Sequence, residues 1–150
     1  MRSVRVSPAP QAQRGKRRHA LDAAAIRRLV SAARAVRRRA YAPHSKFHVG
    51  AAVLDDRGGM HVGCNVENAS FGLTVCAERN AIAAAVAAGA RRLRAVAVVT
   101  GTRPPGSPCG ACRQVLAEFG ADDLPVLLAS PAGPVEQTHL GALLPRSFRF

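Results

Sequence analysis

The chain is 150 residues long, which fits one domain, and its 48% hydrophobic content is enough to bury a core built largely of Ala, Val and Leu, since only 4% is aromatic. Its formal net charge of +13 is unevenly spread: residues 1–39 hold twelve Lys/Arg and one acid, Asp22, whereas residues 40–150 hold ten Lys/Arg and eight acids. The basic excess therefore lies outside the part that carries the chemistry, and aromatic residues for base stacking are scarce, so a polynucleotide substrate is disfavoured.

Residues 1–20 contain Pro8, Pro10, Gly15 and a Lys16-Arg17-Arg18 cluster without apolar periodicity, and read as a disordered basic tail. No apolar stretch follows Arg2 and Arg5 as a secretory signal would require. The longest apolar run, residues 81–88, is too short to span a bilayer. These features point to a cytoplasmic chain with reduced thiols.

From residue 21 the pattern changes, and residues 21–150 read as one catalytic domain. Ile26, Leu29, Val30, Ala33 and Val36 recur at helical spacing between arginines, with Asp22 at the start and Ala42-Pro43 beyond the end. The arginine face reads as solvated, with an anchor for a nucleic acid or another partner as the alternative. Residues 47–54 and 60–66 read as strands around a turn at 55–59. Phe47, Val49, Ala51 and Val53 then share one strand face, and Asn65 and Glu67 another. Residues 68–74 form a polar loop. Residues 76–88 and 109–119 read as helices, each ended by glycine. Residues 93–100 and 124–129 are apolar runs of strand length, as in a sheet covered on both faces. Residues 135–150 read as a weak strand or a short helix. This order predicts an α/β fold, a three-layer α/β/α sandwich around a mixed central sheet.

Two segments carry metal chemistry: Cys76-Ala77-Glu78-Arg79 and Pro108-Cys109-Gly110-Ala111-Cys112. The Cys-x-x-Cys spacing lets two thiolates of one turn grip one ion, and Cys76 adds a third. Three protein ligands leave one tetrahedral position of a zinc ion open, the arrangement of a catalytic centre. Both segments are predicted at helix N-termini, whose partial positive charge offsets the surplus negative charge of three thiolates on one zinc. Glu78 is a carboxylate beside the ligands, suited to moving protons.

These segments resemble the zinc-dependent nucleoside and nucleobase deaminases, and the likeness to cytidine deaminases goes further. It extends over Tyr41-Ala42-Pro43-His44-Ser45-Lys46-Phe47, Val49-Gly50-Ala51, and the stretch from Gly63-Cys64-Asn65-Val66-Glu67 through Asn68-Ala69-Ser70-Phe71-Gly72. It also takes in Cys109-Gly110-Ala111-Cys112-Arg113-Gln114 and Leu143-Leu144-Pro145, so that residues 25–148 are covered. The resemblance implies one zinc per chain held by Cys76, Cys109 and Cys112, and hydrolytic deamination of cytidine and deoxycytidine. Glu78 would carry protons from water to N3 of the pyrimidine and then to the departing amine. Arg79 would hydrogen-bond ligand sulfurs. Phe47, Asn65, Glu67, Ala77 and Phe148 would bind the nucleoside, with Asn65 and Glu67 on the ribose and Phe148 stacked on the base. The assembly implied is a homotetramer with shared active sites. The sequence departs from many members at His44 and Phe71, where they carry tyrosine.

If Asn65 and Glu67 depend on the ribose for partners, free cytosine is rejected by roughly 10⁴–10⁵-fold. Two other readings remain. A deaminase of a modified cytosine nucleoside, such as a blasticidin-type antibiotic, fits the same metal set, although the Asn-Val-Glu-Asn-Ala-Ser stretch favours the ordinary nucleoside. A zinc-stabilised basic binding module would need Cys64 as a fourth ligand.

Overall fold

The computed structural model describes residues 21–150; the tail predicted over 1–20 lies outside the described residues. Helix α1 (Ala23–Arg37) begins where Asp22 caps it, the Asp22 carboxylate accepting from the Ala25 amide at 2.6 Å. Strands β1 (Gly50–Asp55) and β2 (Met60–Cys64) form an antiparallel hairpin. Its turn is organised by Asp55, whose Oδ1 accepts from the amides of Arg57 (2.9 Å) and Gly59 (2.7 Å). Helix α2 (Ala77–Ala87), strand β3 (Leu93–Val99), helix α3 (Gly110–Phe119) and strand β4 (Pro125–Ala129) follow. Strand β5 (Val135–His139) and the short helix α4 (Leu140–Leu143) come last.

The five strands lie in the order β2-β1-β3-β4-β5. Only β3 and β4 are parallel, as their connection through α3 requires; the other neighbours are antiparallel. The predicted mixed sheet between helical layers is the observed architecture. On one face α1 lays Leu29, Val30 and Ala33 over Ala52, Ala95, Ala97 and Leu127. On the other, Ala77, Ala81 and Ile82 of α2 and Leu116 of α3 cover Ala51, Val53, Val96 and Val98. All six residues of β1 are consequently buried.

The helices press close because the contacts are small. A Cβ on Gly50 would lie 2.1 Å from the Ala33 carbonyl oxygen, and one on Gly63 2.3 Å from the Ala81 nitrogen. Burial at this packing density leaves no space for a methyl group without moving a helix.

Several boundaries differ from expectation. The first strand starts at Gly50 and not at residue 47, because the chain before Gly50 bonds to the Asn65 side chain. The second strand stops at Cys64, so Asn65 and Glu67 are not successive residues of one strand face. Val66 between them makes isolated bridges to Tyr41 and Val75. Both metal-motif helices start one residue later than predicted, leaving Cys76 and Cys109 as their N-caps. The predicted polar loop contains a 3₁₀ turn at Phe71–Leu73. No helix among the described residues is long and apolar enough to cross a membrane.

Candidate metal centre and active site

The sheet brings the N-termini of α2 and α3 together. Cys76 caps α2, Cys109 caps α3, and Cys112 stands in the first turn of α3. The three Sγ atoms lie within 4.8 Å of one another, with Cys76 and Cys109 4.0 Å apart. Thiolates bound to one tetrahedral zinc at about 2.3 Å stand roughly 3.8 Å apart, so the cluster is close to the spacing zinc needs. Cys112 is buried and Cys109 exposed, so the cluster is open on one side. Both N-caps are cysteines, and neither side chain makes a capping hydrogen bond to its helix. A helix N-terminus favours thiolate over thiol.

Cys64 lies outside this cluster, and the chain carries all four cysteines as free thiols. The Cys64 carbonyl accepts from Asn80 Nδ2 at 2.8 Å, which ties the end of β2 to α2. The four-cysteine arrangement required by a structural zinc module is therefore not assembled.

The cluster polarises its own protons. The Cys76 thiol is pulled down to about 5, first by a hydrogen bond with Cys112 and then by Arg79. The same contact and burial push Cys112 up. Arg79 Nη2 reaches both the Thr74 carbonyl at 2.9 Å and Cys76 Sγ at 3.8 Å. Its Nε is buried and has no partner among the described residues. The thiolate beside it raises the Arg79 pKa further.

Glu78 sits in the first turn of α2, 4% exposed. Burial pushes its carboxyl above the usual range, and the charge of Cys76 adds to the shift. Ala77, the first residue of α2, is fully buried.

Asn65 and Glu67 meet on the segment 41–49. Asn65 Nδ2 donates to the Phe47 carbonyl at 2.9 Å, and Asn65 Oδ1 accepts from the Val49 amide at 2.8 Å. Glu67 Oε2 accepts from the amides of His44 (2.8 Å) and Ser45 (3.2 Å), and Oε1 accepts from the Ser45 hydroxyl. The Ser45 hydroxyl also receives the Phe47 amide at 3.0 Å. These donors, the Ser45 hydroxyl foremost, hold the Glu67 carboxyl below its usual range. The expectation that both side chains are unpaired without ribose is therefore corrected: the chain itself supplies partners.

Phe47 is 41% exposed and Phe148 66% exposed, each following a non-glycine residue with positive φ nearby, Lys46 at 59° and Arg146 at 58°. Phe148 packs edge-on against Phe150 with ring centroids 5.1 Å apart. Sequence reasoning assigned no role to Ser45, Asn80, Arg113 or Gln114. Ser45, Arg113 and Gln114 lie inside the motifs that carry the resemblance, but their partners Glu67, Leu143 and Phe148 are remote in sequence, so spacing alone gave no signal.

The fold and three-thiolate centre define a zinc-dependent deaminase class. Residues 24–128 match the family model of the cytidine and deoxycytidylate deaminase zinc-binding region, and the chain belongs to that family. Zinc is accordingly its cofactor, and the three-cysteine donor set fits it. The chain is 46% identical over 123 residues to a cytidine deaminase of Sporosarcina psychrophila, covering 82% of this chain and 90% of the relative. It is 48% identical over 109 residues to a cytidine deaminase of Mycobacterium tuberculosis strain H37Rv, covering 73% and 78%. Among solved structures, a cytidine deaminase from Burkholderia pseudomallei superposes with a TM-score of 0.78 at 51% identity, covering 81% of this chain and 98% of that one.

Proposed function

We propose that this protein is a cytidine deaminase, hydrolysing the C4 amino group of cytidine and deoxycytidine to give uridine and deoxyuridine with release of ammonia. The observation that carries this reading is the buried Glu78 one turn from a Cys76–Cys109–Cys112 cluster. We assign the catalytic unit to residues 21–150 and the metal to those three cysteines.

Zinc held there supplies Lewis acidity, which makes a water proton removable at neutral pH. Glu78 accepts that proton and hands it to N3 of the pyrimidine. The oxygen of that water adds to C4, and Glu78 then moves its remaining proton to the C4 amino nitrogen, which leaves as ammonia as the C4 carbonyl forms. The burial of Glu78 suits this work, because a carboxyl whose pKa is raised above the usual range is a better proton acceptor than an ordinary carboxylate. Arg79, bonded to Cys76, holds the thiolate charge in place. The backbone of Ala77 and the rings of Phe47 and Phe148 bind the base. Asn65 and Glu67 fix the rim against which the ribose is read.

Exposed Tyr41, Phe71, Leu73, Phe148 and Phe150 support a homotetramer in which Phe148 enters a neighbour's site. Light scattering on the active protein tests the assembly, and a fully active monomer would overturn it.

The reaction is tested by ultraviolet-monitored turnover of cytidine, deoxycytidine, cytosine and cytidine monophosphate, with zinc measured on the same sample. Both nucleosides are expected to react with about one zinc per chain. Zinc-loaded protein inactive on both nucleosides would sink the assignment.

A further inference from the structure

The C-terminal segment carrying Phe148 is fastened to the helix that supplies two of the three cysteines. Arg113 is the residue after Cys112. Its Nε–H donates to the Pro108 carbonyl at 2.7 Å, its Nη1 to the Leu143 carbonyl at 2.7 Å, and its Nη2 to the Ser107 hydroxyl at 2.9 Å. Pro108 is buried and immediately precedes Cys109. One guanidinium therefore ties the turn that delivers Cys109 to the end of α4, thirty residues away.

The next residue extends the fastening. Gln114 Nε2 donates to the Phe148 carbonyl at 2.8 Å. Arg149 answers from the segment itself, donating to the carbonyls of Ala117 (2.6 Å) and Gly120 (3.1 Å) at the far end of α3. Residues 143–149 are thus bonded to α3 at successive points along its length. The Phe148 ring stays 66% exposed, so its backbone is what α3 holds, and the ring is presented outward. No comparable side-chain bond joins this segment to β4 or β5 among the described residues.

We infer that Arg113 is a positioning residue coupling the metal turn to the aromatic arm, with Gln114 setting the height of Phe148. This rests on the proposed reading that Cys109 and Cys112 hold zinc and that Phe148 meets the base. The chemistry favours arginine. Its planar fork meets three acceptors on two segments at once, Ser107 and Pro108 on one and Leu143 on the other, which the single ammonium of lysine does not. The bonds are charge-assisted, so each holds its acceptor more firmly than a neutral donor does. Metal binding orders residues 108–112, and Arg113 carries that order to residue 143. In the metal-free protein the arm loses part of its anchor.

The test uses the full chain and the variants Arg113→Ala, Arg113→Lys, Gln114→Ala, Phe148→Ala and the double variant Arg113→Ala/Phe148→Ala. Three quantities are read: cytidine kcat and KM, the rate of zinc release to a chelator, and hydrogen exchange over residues 143–150 with and without zinc. Zinc removal from the native chain is expected to speed exchange in this segment. Arg113→Ala should release zinc faster and raise KM roughly tenfold, as expected for losing a charged anchor, and Arg113→Lys should not restore either. Gln114→Ala should raise KM and speed exchange at 145–150 while leaving zinc release unchanged.

In the Phe148→Ala background, adding Arg113→Ala should raise KM no further, because the two act through one contact. Additive KM effects, or exchange at 143–150 that ignores both zinc and Arg113, would overturn the coupling. Failure of the native chain to deaminate cytidine would overturn the proposed reaction separately, since the exchange measurement stands without turnover.

Discussion

Asn65 and Phe47, eighteen positions apart, are joined by a bond from the Asn65 amide to the Phe47 carbonyl at 2.9 Å, and the same amide receives the Val49 N–H at 2.8 Å. One buried side chain thereby substitutes for two rungs of a β-ladder, and the chain before β1 is free to bend away from the sheet towards Glu67. Asn65→Ala takes the partner from two part-buried backbone groups, the Val49 N–H and the Phe47 carbonyl. It should cost about 2–4 kcal/mol of stability and raise KM for cytidine as Phe47 loses its anchor. Urea unfolding and steady-state kinetics check both; unchanged stability would show that water replaces the amide.

On the proposed assignment, metal binding and proton transfer should separate by residue. Glu78→Gln should keep zinc and lose roughly 10²–10⁴-fold in turnover. Cys109→Ala should lose zinc and unfold earlier, since metal affinity is part of the folding free energy. Cys64→Ser should keep zinc, because its sulfur lies outside the cluster. Metal analysis alongside thermal melts distinguishes the three, and zinc loss from the Cys64 variant would return the structural reading.

Discrimination between cytidine and free cytosine should be smaller than a site with unpaired polar groups would give. Glu67 already accepts from Ser45 and His44, so cytosine strands no carboxylate. Only the lost ribose bonds remain, and these amount to roughly 10²–10³-fold in kcat/KM. Glu67→Ala should narrow the gap by harming the nucleoside reaction alone. A gap of 10⁵-fold in the native enzyme would mean that ribose displaces Ser45 from the carboxylate.

Acid should weaken the hairpin turn. The Asp55 carboxyl is held below its ordinary 3.8, first by the hydrogen bond from His61 at 3.0 Å, then by the Gly59 and Arg57 amides, against the opposing effect of burial. A depressed carboxyl stabilises the fold fully above the unfolded value and loses that contribution as pH falls through the folded value. The stability difference between native protein and Asp55→Asn should therefore be constant from pH 6 to about 5 and shrink below about 4. Denaturant melts across that range measure it, and a difference independent of pH down to 3 would refute the carboxylate's role.

The layers, the mixed sheet and the three thiols were legible because each rests on local information. Alternating or continuous apolar runs mark the strands, and the Cys-x-x-Cys spacing places two thiols within one turn. The segment 41–49 was not legible. Phe47 and Val49 alternate as a strand does, yet their backbone partners are the side chain of Asn65 and the hydroxyl of Ser45, which periodicity does not encode. Residues 135–150 gave a weak signal for a similar reason. Strand β5 is polar and exposed at the sheet edge, and the arm after α4 is held by arginine and glutamine side chains from α3.

The contact at Gly63 limits how this enzyme can change its substrate. A single methyl there meets the Ala81 nitrogen at 2.3 Å and the Ala77 carbonyl oxygen at 2.6 Å, so β2 and the first turn of α2, which carries Glu78, behave as one solid unit. Room for a bulkier base cannot be won by shifting that unit without moving Cys76 and Glu78 with it. Variants selected on larger nucleosides should therefore accumulate changes in residues 43–48 and in the Phe148 arm, and leave Gly63, Ala77 and Ala81 untouched.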